Sequence, residues 1–265
     1  MESNSIDNKE KVNSKLKLYI PIILYFLIMF LFGVVFIILM IYITSKIYDA
    51  NTHECLKGIY TADYEYIKGT KEYKAYYCGY ALGQALIYLL LFLIFIFSFK
   101  EYLIEDFKKL KERKLYFTIY IIISIILFLI ASTIASNIVS KYTDDSENQK
   151  LIEAMLDSSG MIPMAISVII FAPLVEELVF RKFIFLVTKN LHIVMSYVIS
   201  VLTFTLIHVL SSDMSNMKDW LLKCIPYLVS SISFAVIYHK SDKNIYTSLS
   251  CHIFNNLIAT IFAII

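Results

Sequence analysis

Seven long apolar stretches run through this chain of 265 residues and leave few folds open to it. They are Leu18 to Thr44, Ala75 to Phe99, Leu115 to Val139, Met161 to Asn190, His192 to Leu210, Trp220 to Tyr238 and Ile245 to Ile265. Stretches of roughly 18 residues or more are long enough to cross the hydrocarbon core as helices. Only 17% of residues are charged, against about 25% in a soluble domain. The pattern predicts an all-α fold, a polytopic transmembrane helical bundle of about seven spans in the cell membrane.

Seven spans leave no room for a soluble domain. Residues 1–17 read as a polar, Lys-rich tail, 18–139 as a three-span scaffold and 161–265 as a four-span functional core. Between them lie three polar stretches, read as loops: Ser45 to Lys74, rich in Tyr; Lys100 to Lys114, basic; and Lys141 to Asp157, acidic. The first apolar run is too long for a signal-peptide core and lacks a small-residue cleavage site, so it reads as a retained span. The basic residues cluster in the tail and in the second loop, which places the N terminus in the cytoplasm. The net charge of +2 is spread over loops and predicts no nucleic-acid partner. Cys55, Cys78, Cys224 and Cys251 form no CxxC pair and read as small packing residues. Gly79 and Gly83 form a GxxxG pattern, which predicts close helix contact.

One apolar run carries charge. Between Met161 and Val187 the only charged residues are Glu176, Glu177, Arg181 and Lys182. A charge at mid-bilayer costs about 2.5–3.5 kcal/mol on insertion scales, so such residues face a protein interior or a cavity and mark function. Glu177 and Arg181, four apart, share a helix face. Glu176 points about 100° away. Arg181 can thus neutralise Glu177 with a bidentate fork, leaving Glu176 free to act as a general base. Arg is rare here, with 22 Lys against two Arg, and only Arg stays charged and forked when buried.

Two further patterns lie on later apolar runs: Phe204-x-x-x-His208 and His252-x-x-x-Asn256, each on one helix face. Asn255 points elsewhere and reads as packing. His53-Glu54 fails as HExxH because position 57 is Lys, and His192 and His239 sit at span ends. No GxSxG occurs. Each of these two patterns alone is as well explained by a buried or interhelical hydrogen bond. Together, a Glu, two His and an Asn on three helices form a minimal hydrolytic set. A carboxylate and an imidazole can deprotonate water, while a second imidazole and an amide can hold an oxyanion. Alternatively Glu176, His208 and His252 can bind zinc and leave a position for water. With straight spans, Glu176 falls nearer the inner face and His208 nearer the outer, so they meet only if helices are tilted, broken or short. Pro163 and Pro173 supply possible breaks.

The order EExxxR, FxxxH, HxxxN, each within a hydrophobic helix, resembles the CPBP family of CAAX prenyl proteases and bacteriocin-processing enzymes, also called Abi proteins. The resemblance covers about Met161 to Ile265. It implies that Glu176 is the general base and that His208 positions or deprotonates the water. His252 and Asn256 would polarise the scissile carbonyl, while Glu177 and Arg181, with Phe204 beside them, shape the site. For that family both a zinc and a metal-free glutamate mechanism have been put forward; the reading here favours no cofactor, with zinc as the alternative. The fullest members have eight helices, against seven counted here. The expected function is an intramembrane endopeptidase acting on a membrane-associated peptide or lipidated protein, with membrane lipid as its surroundings. The alternatives are a transporter or proton relay and a non-catalytic immunity protein. Against a transporter, the sequence has no internal repeat.

Overall fold

The computed structural model describes residues 18–61 and 66–265. The Lys-rich tail lies outside them. Described residues form helices and no strand: α1 Leu18–Ile47, α2 Thr52–Tyr60, α3 Lys71–Glu112, α4 Lys114–Val139, α5 Glu147–Leu156, α6 Met161–Val187, α7 Ile193–Val209, α8 Met217–Lys240 and α9 Ile245–Ile264. Six are long and apolar enough to cross a membrane. α7, the fifth of the seven expected spans, has 17 residues and is about 25 Å long, short of a core of about 30 Å. The fold is an all-α polytopic bundle.

Three stretches read as loops contain helix. Asn51 accepts hydrogen bonds from the amides of His53 and Glu54 and so starts α2. Ser146 caps α5 through the Gln149 amide, and α5 then buries Met155 and Leu156 against α6. The basic stretch after Phe99 continues α3 beyond a kink at Phe99 (φ −122°, ψ 20°). It stays helical through pairs such as Lys109 with Glu105 at 2.6 Å, four residues apart. Polarity had disguised these helices, because charged residues at helical spacing need no apolar run.

The GxxxG expectation holds. A Cβ at Gly79 would stand 2.5 Å from the Ile41 Cα, and one at Gly83 2.8 Å from the Ile37 Cα. α1 and α3 therefore touch backbone to backbone, and the Thr44 hydroxyl donates to the Ala75 carbonyl at 2.7 Å. Gly79→Ala has no flexible neighbour to displace. It is expected to cost about 1–3 kcal/mol as overpacking, read as a lower thermal unfolding temperature in detergent; an unchanged temperature would mean the two helices can part freely.

α6 is the central helix. Over half of its most apolar window is buried (56%), against 17–33% in the other five long helices. Its charges therefore sit in protein, which answers the cost of placing them in lipid. α6 also carries two wide π-helical stretches, Ser167–Phe171 and Glu177–Phe183, a feature common at functional sites.

Candidate active site

The depth conflict expected from straight spans shrinks to about 6 Å when ideal helical rise is counted from the α6–α7 turn. Glu176 stands about 16 Å above Val187, and His208 about 22 Å above Ile193, at 1.5 Å per residue. α9 is brought to the same level by a buried lock. Asp106 of α3 accepts from Lys182 of α6 at 2.8 Å and from the Ile245 amide at 3.1 Å, while the Asn244 side chain donates to the Asp106 carbonyl at 2.7 Å. Above that lock, Glu176 lies about 9 Å up α6 and His252 about 10 Å up α9.

Four residues singled out in the sequence, Glu176, His208, His252 and Asn256, line one cavity of about 160 Å³, with Phe204 on its wall. That volume admits several waters. Oε2 of Glu176 is 4.0 Å from Nε2 of His208 and 3.8 Å from Nε2 of His252. These gaps are too long for direct hydrogen bonds and suit a bridging water. Each imidazole is oriented through its other nitrogen. His208 Nδ1 lies 2.7 Å from the Phe204 carbonyl. A carbonyl only accepts, so Nδ1 carries hydrogen, and in the neutral ring the Nε2 lone pair faces Glu176. His252 Nδ1 is 3.1 Å from Glu177 Oε1; a carboxylate accepts, so Nδ1–H points at Glu177 and fixes the ring.

Glu177 and Arg181 are both fully buried. The bidentate fork expected between them is not formed. Their contact is a single Nε to Oε2 approach of 3.7 Å, because the two terminal nitrogens of Arg181 turn to the hydroxyls of Ser200 and Ser231, each at 3.4 Å. The guanidinium carbon lies 4.7 Å from the ring centre of Phe204 and 5.7 Å from that of Phe234, a cation beside two aromatic rings set edge-to-face to each other. Phe204 thus supports Arg181 and, through its carbonyl, His208.

Asn256 donates to the Val168 carbonyl at 2.9 Å and accepts from Asn255 at 3.1 Å. A primary amide has two N–H groups, so one remains for a ligand. Asn255, read as packing, lines the same cavity. Tyr88 is the residue that the sequence did not reveal. It lines the cavity and donates to Glu176 Oε1 at 2.8 Å, so Glu176 is not free. In a chain with 20 Tyr, one more in an apolar run carries no signal. The remaining histidines stay outside the site: His192 accepts from the Val194 amide, His239 pairs with Tyr197 at 2.8 Å, and His53 lies on α2 beside Tyr60. All four cysteines are buried and unpaired.

One carboxylate and two imidazoles are donors that zinc accepts. Bonds of about 2.0–2.1 Å in a tetrahedron bring ligand atoms to about 3.4 Å of one another. Here the oxygen stands 3.8 and 4.0 Å from the two nitrogens, so the side chains as placed do not close on the ion. Among the described residues no group of three His, Cys, Asp or Glu is arranged to hold a metal.

Residues 158–258 match the family model of the type II CAAX prenyl endopeptidase Rce1-like proteins. This Rce1-like region begins just before α6 and ends within α9, so it contains all three motifs. It agrees with the resemblance drawn from those motifs. No curated protein and no solved structure matches the chain. The Rce1-like match supports a CAAX-type intramembrane endopeptidase in general, and with the apolar helices a multi-pass membrane protein.

Proposed function

We propose that this protein hydrolyses a peptide bond of a membrane-associated peptide or lipidated protein tail, using a water activated by Glu176 and His208 without a metal. The observation that carries this reading is Glu176 Oε2 facing two imidazole Nε2 atoms across water-sized gaps in one cavity. A water in that gap gives one hydrogen to Glu176 and one to the His208 lone pair, which leaves its own lone pair for attack. As its oxygen bonds to the carbonyl carbon, Glu176 takes the proton. The oxyanion accepts from His252 Nε2–H, the ring being held through Nδ1 by Glu177, and from the second N–H of Asn256. The C–N bond then breaks, and the leaving amine takes the proton back from Glu176. Within this reading residues 161–265 form the catalytic core, the N terminus is cytoplasmic, and the substrate arrives through lipid.

The test is purified protein in detergent with an internally quenched, S-farnesylated Cys-aliphatic-aliphatic-X peptide. Cleavage should persist under chelator, with far less than one zinc per protein by elemental analysis. No cleavage would remove the endopeptidase reading. Stoichiometric zinc, with activity lost on chelation and restored by adding zinc, would replace the metal-free mechanism.

A further inference from the structure

Two tyrosines that lie outside the Rce1-like match stand behind the proposed base. Tyr88 of α3 donates its single hydroxyl hydrogen to Glu176 Oε1. Toward any other polar neighbour it can therefore only accept. Tyr25 of α1 is fully buried, and its ring packs edge-on against Phe180 of α6 at 5.5 Å. The Tyr25 hydroxyl makes no hydrogen bond among the described residues. A buried hydroxyl left unpaired is costly, and Tyr88 offers it an acceptor. Tyr25, Tyr88 and His208 also border a second cavity of about 260 Å³, which shares Tyr88 and His208 with the first.

The consequence concerns which carboxylate oxygen does the work. The last torsion of a Glu side chain is soft and roughly two-fold, so packing alone does not choose an oxygen. A hydrogen bond that occupies Oε1 leaves Oε2 facing His208 and His252, as found. We infer that Tyr88 is a positioning residue for peptide hydrolysis, acting through Glu176, and that Tyr25, whose unpaired hydroxyl borders a cavity with Tyr88, acts only through Tyr88. The helices before the Rce1-like region then supply part of the apparatus. This inference rests on Glu176 being the base.

The experiment is a double-mutant cycle in detergent with the farnesylated peptide above. Tyr88→Phe should lower kcat about 10-fold or more, as loss of a hydrogen bond to a charged group, with KM within about twofold. Tyr25→Phe should lower kcat about threefold. The double variant should be no slower than Tyr88→Phe, because Tyr25 acts only through Tyr88. Losses that multiply, or that fall on KM, would show a merely structural role and overturn the inference, as would a Tyr88→Phe enzyme of wild-type speed. Glu176→Gln runs alongside: if it stays active, the general-base reading fails, whereas an inactive Glu176→Gln with a normal Tyr88→Phe sinks the tyrosine inference alone. Should Tyr88→Phe not fold, 3,5-difluorotyrosine at position 88 keeps ring and hydroxyl but grips the carboxylate harder. It should lower kcat with KM unchanged; an unchanged kcat would overturn the inference.

Discussion

Glu176→Gln is expected to reduce peptide cleavage about 10³-fold while leaving the unfolding temperature in detergent within a few degrees of wild type. General acid–base groups typically supply about 10²–10⁴-fold, and this carboxylate would act both as base toward water and as acid toward the leaving amine. The substitution spares the fold for a specific reason. The amide oxygen can still accept from Tyr88, which holds Oε1 at 2.8 Å. The NH₂ then takes the place of Oε2 and faces the His208 Nε2 lone pair, 4.0 Å away in the wild type. Packing and hydrogen bonding survive; the ability to take a proton does not. The measurement is kcat on the farnesylated peptide together with a thermal melt. Turnover within tenfold of wild type would remove Glu176 from the chemistry, and a collapsed melt would show that the carboxylate is needed to fold.

Hydropathy made the spans legible because lipid allows a crossing helix little polar surface. The three motifs made the cavity legible because intramembrane Glu, His and Asn are costly without a role. Other parts left no mark in the sequence. α5 is ten residues with a polar first turn, and no apolar run announces it. Asp106 and Lys182 are 76 residues apart in the chain, so nothing local links them, although their pairing sets the height of His252 against Glu176. Tyr88 hides among other tyrosines. The motif spacing foresaw that Arg181 and Glu177 would meet, but not how. The guanidinium had Ser200 and Ser231 available from α7 and α8, and those partners turned it away from a fork.

Arg181→Met is expected to destabilise the protein by about 3–5 kcal/mol, the usual penalty for leaving one buried charge without its partner. Glu177 Oε2 already lacks a hydrogen bond, so Arg181 at 3.7 Å is its main compensation. Methionine fills much of the space beside Phe204 and Phe234 but offers no charge. Arg181→Lys should fall between wild type and Arg181→Met. An ammonium keeps the charge, yet it cannot reach Glu177, Ser200 and Ser231 together or offer a planar face to an aromatic ring. Adding Glu177→Leu to Arg181→Met removes the orphaned carboxylate. The pair should recover stability to within about 1 kcal/mol of wild type, as replaced buried ion pairs often do. Activity should not recover, because His252 Nδ1 loses the carboxylate that orients it at 3.1 Å. Thermal unfolding and kcat, measured on the same preparations, separate the two roles. A stable Arg181→Met would show that the ion pair does not hold the bundle, and a fast double variant would show that His252 does not depend on Glu177.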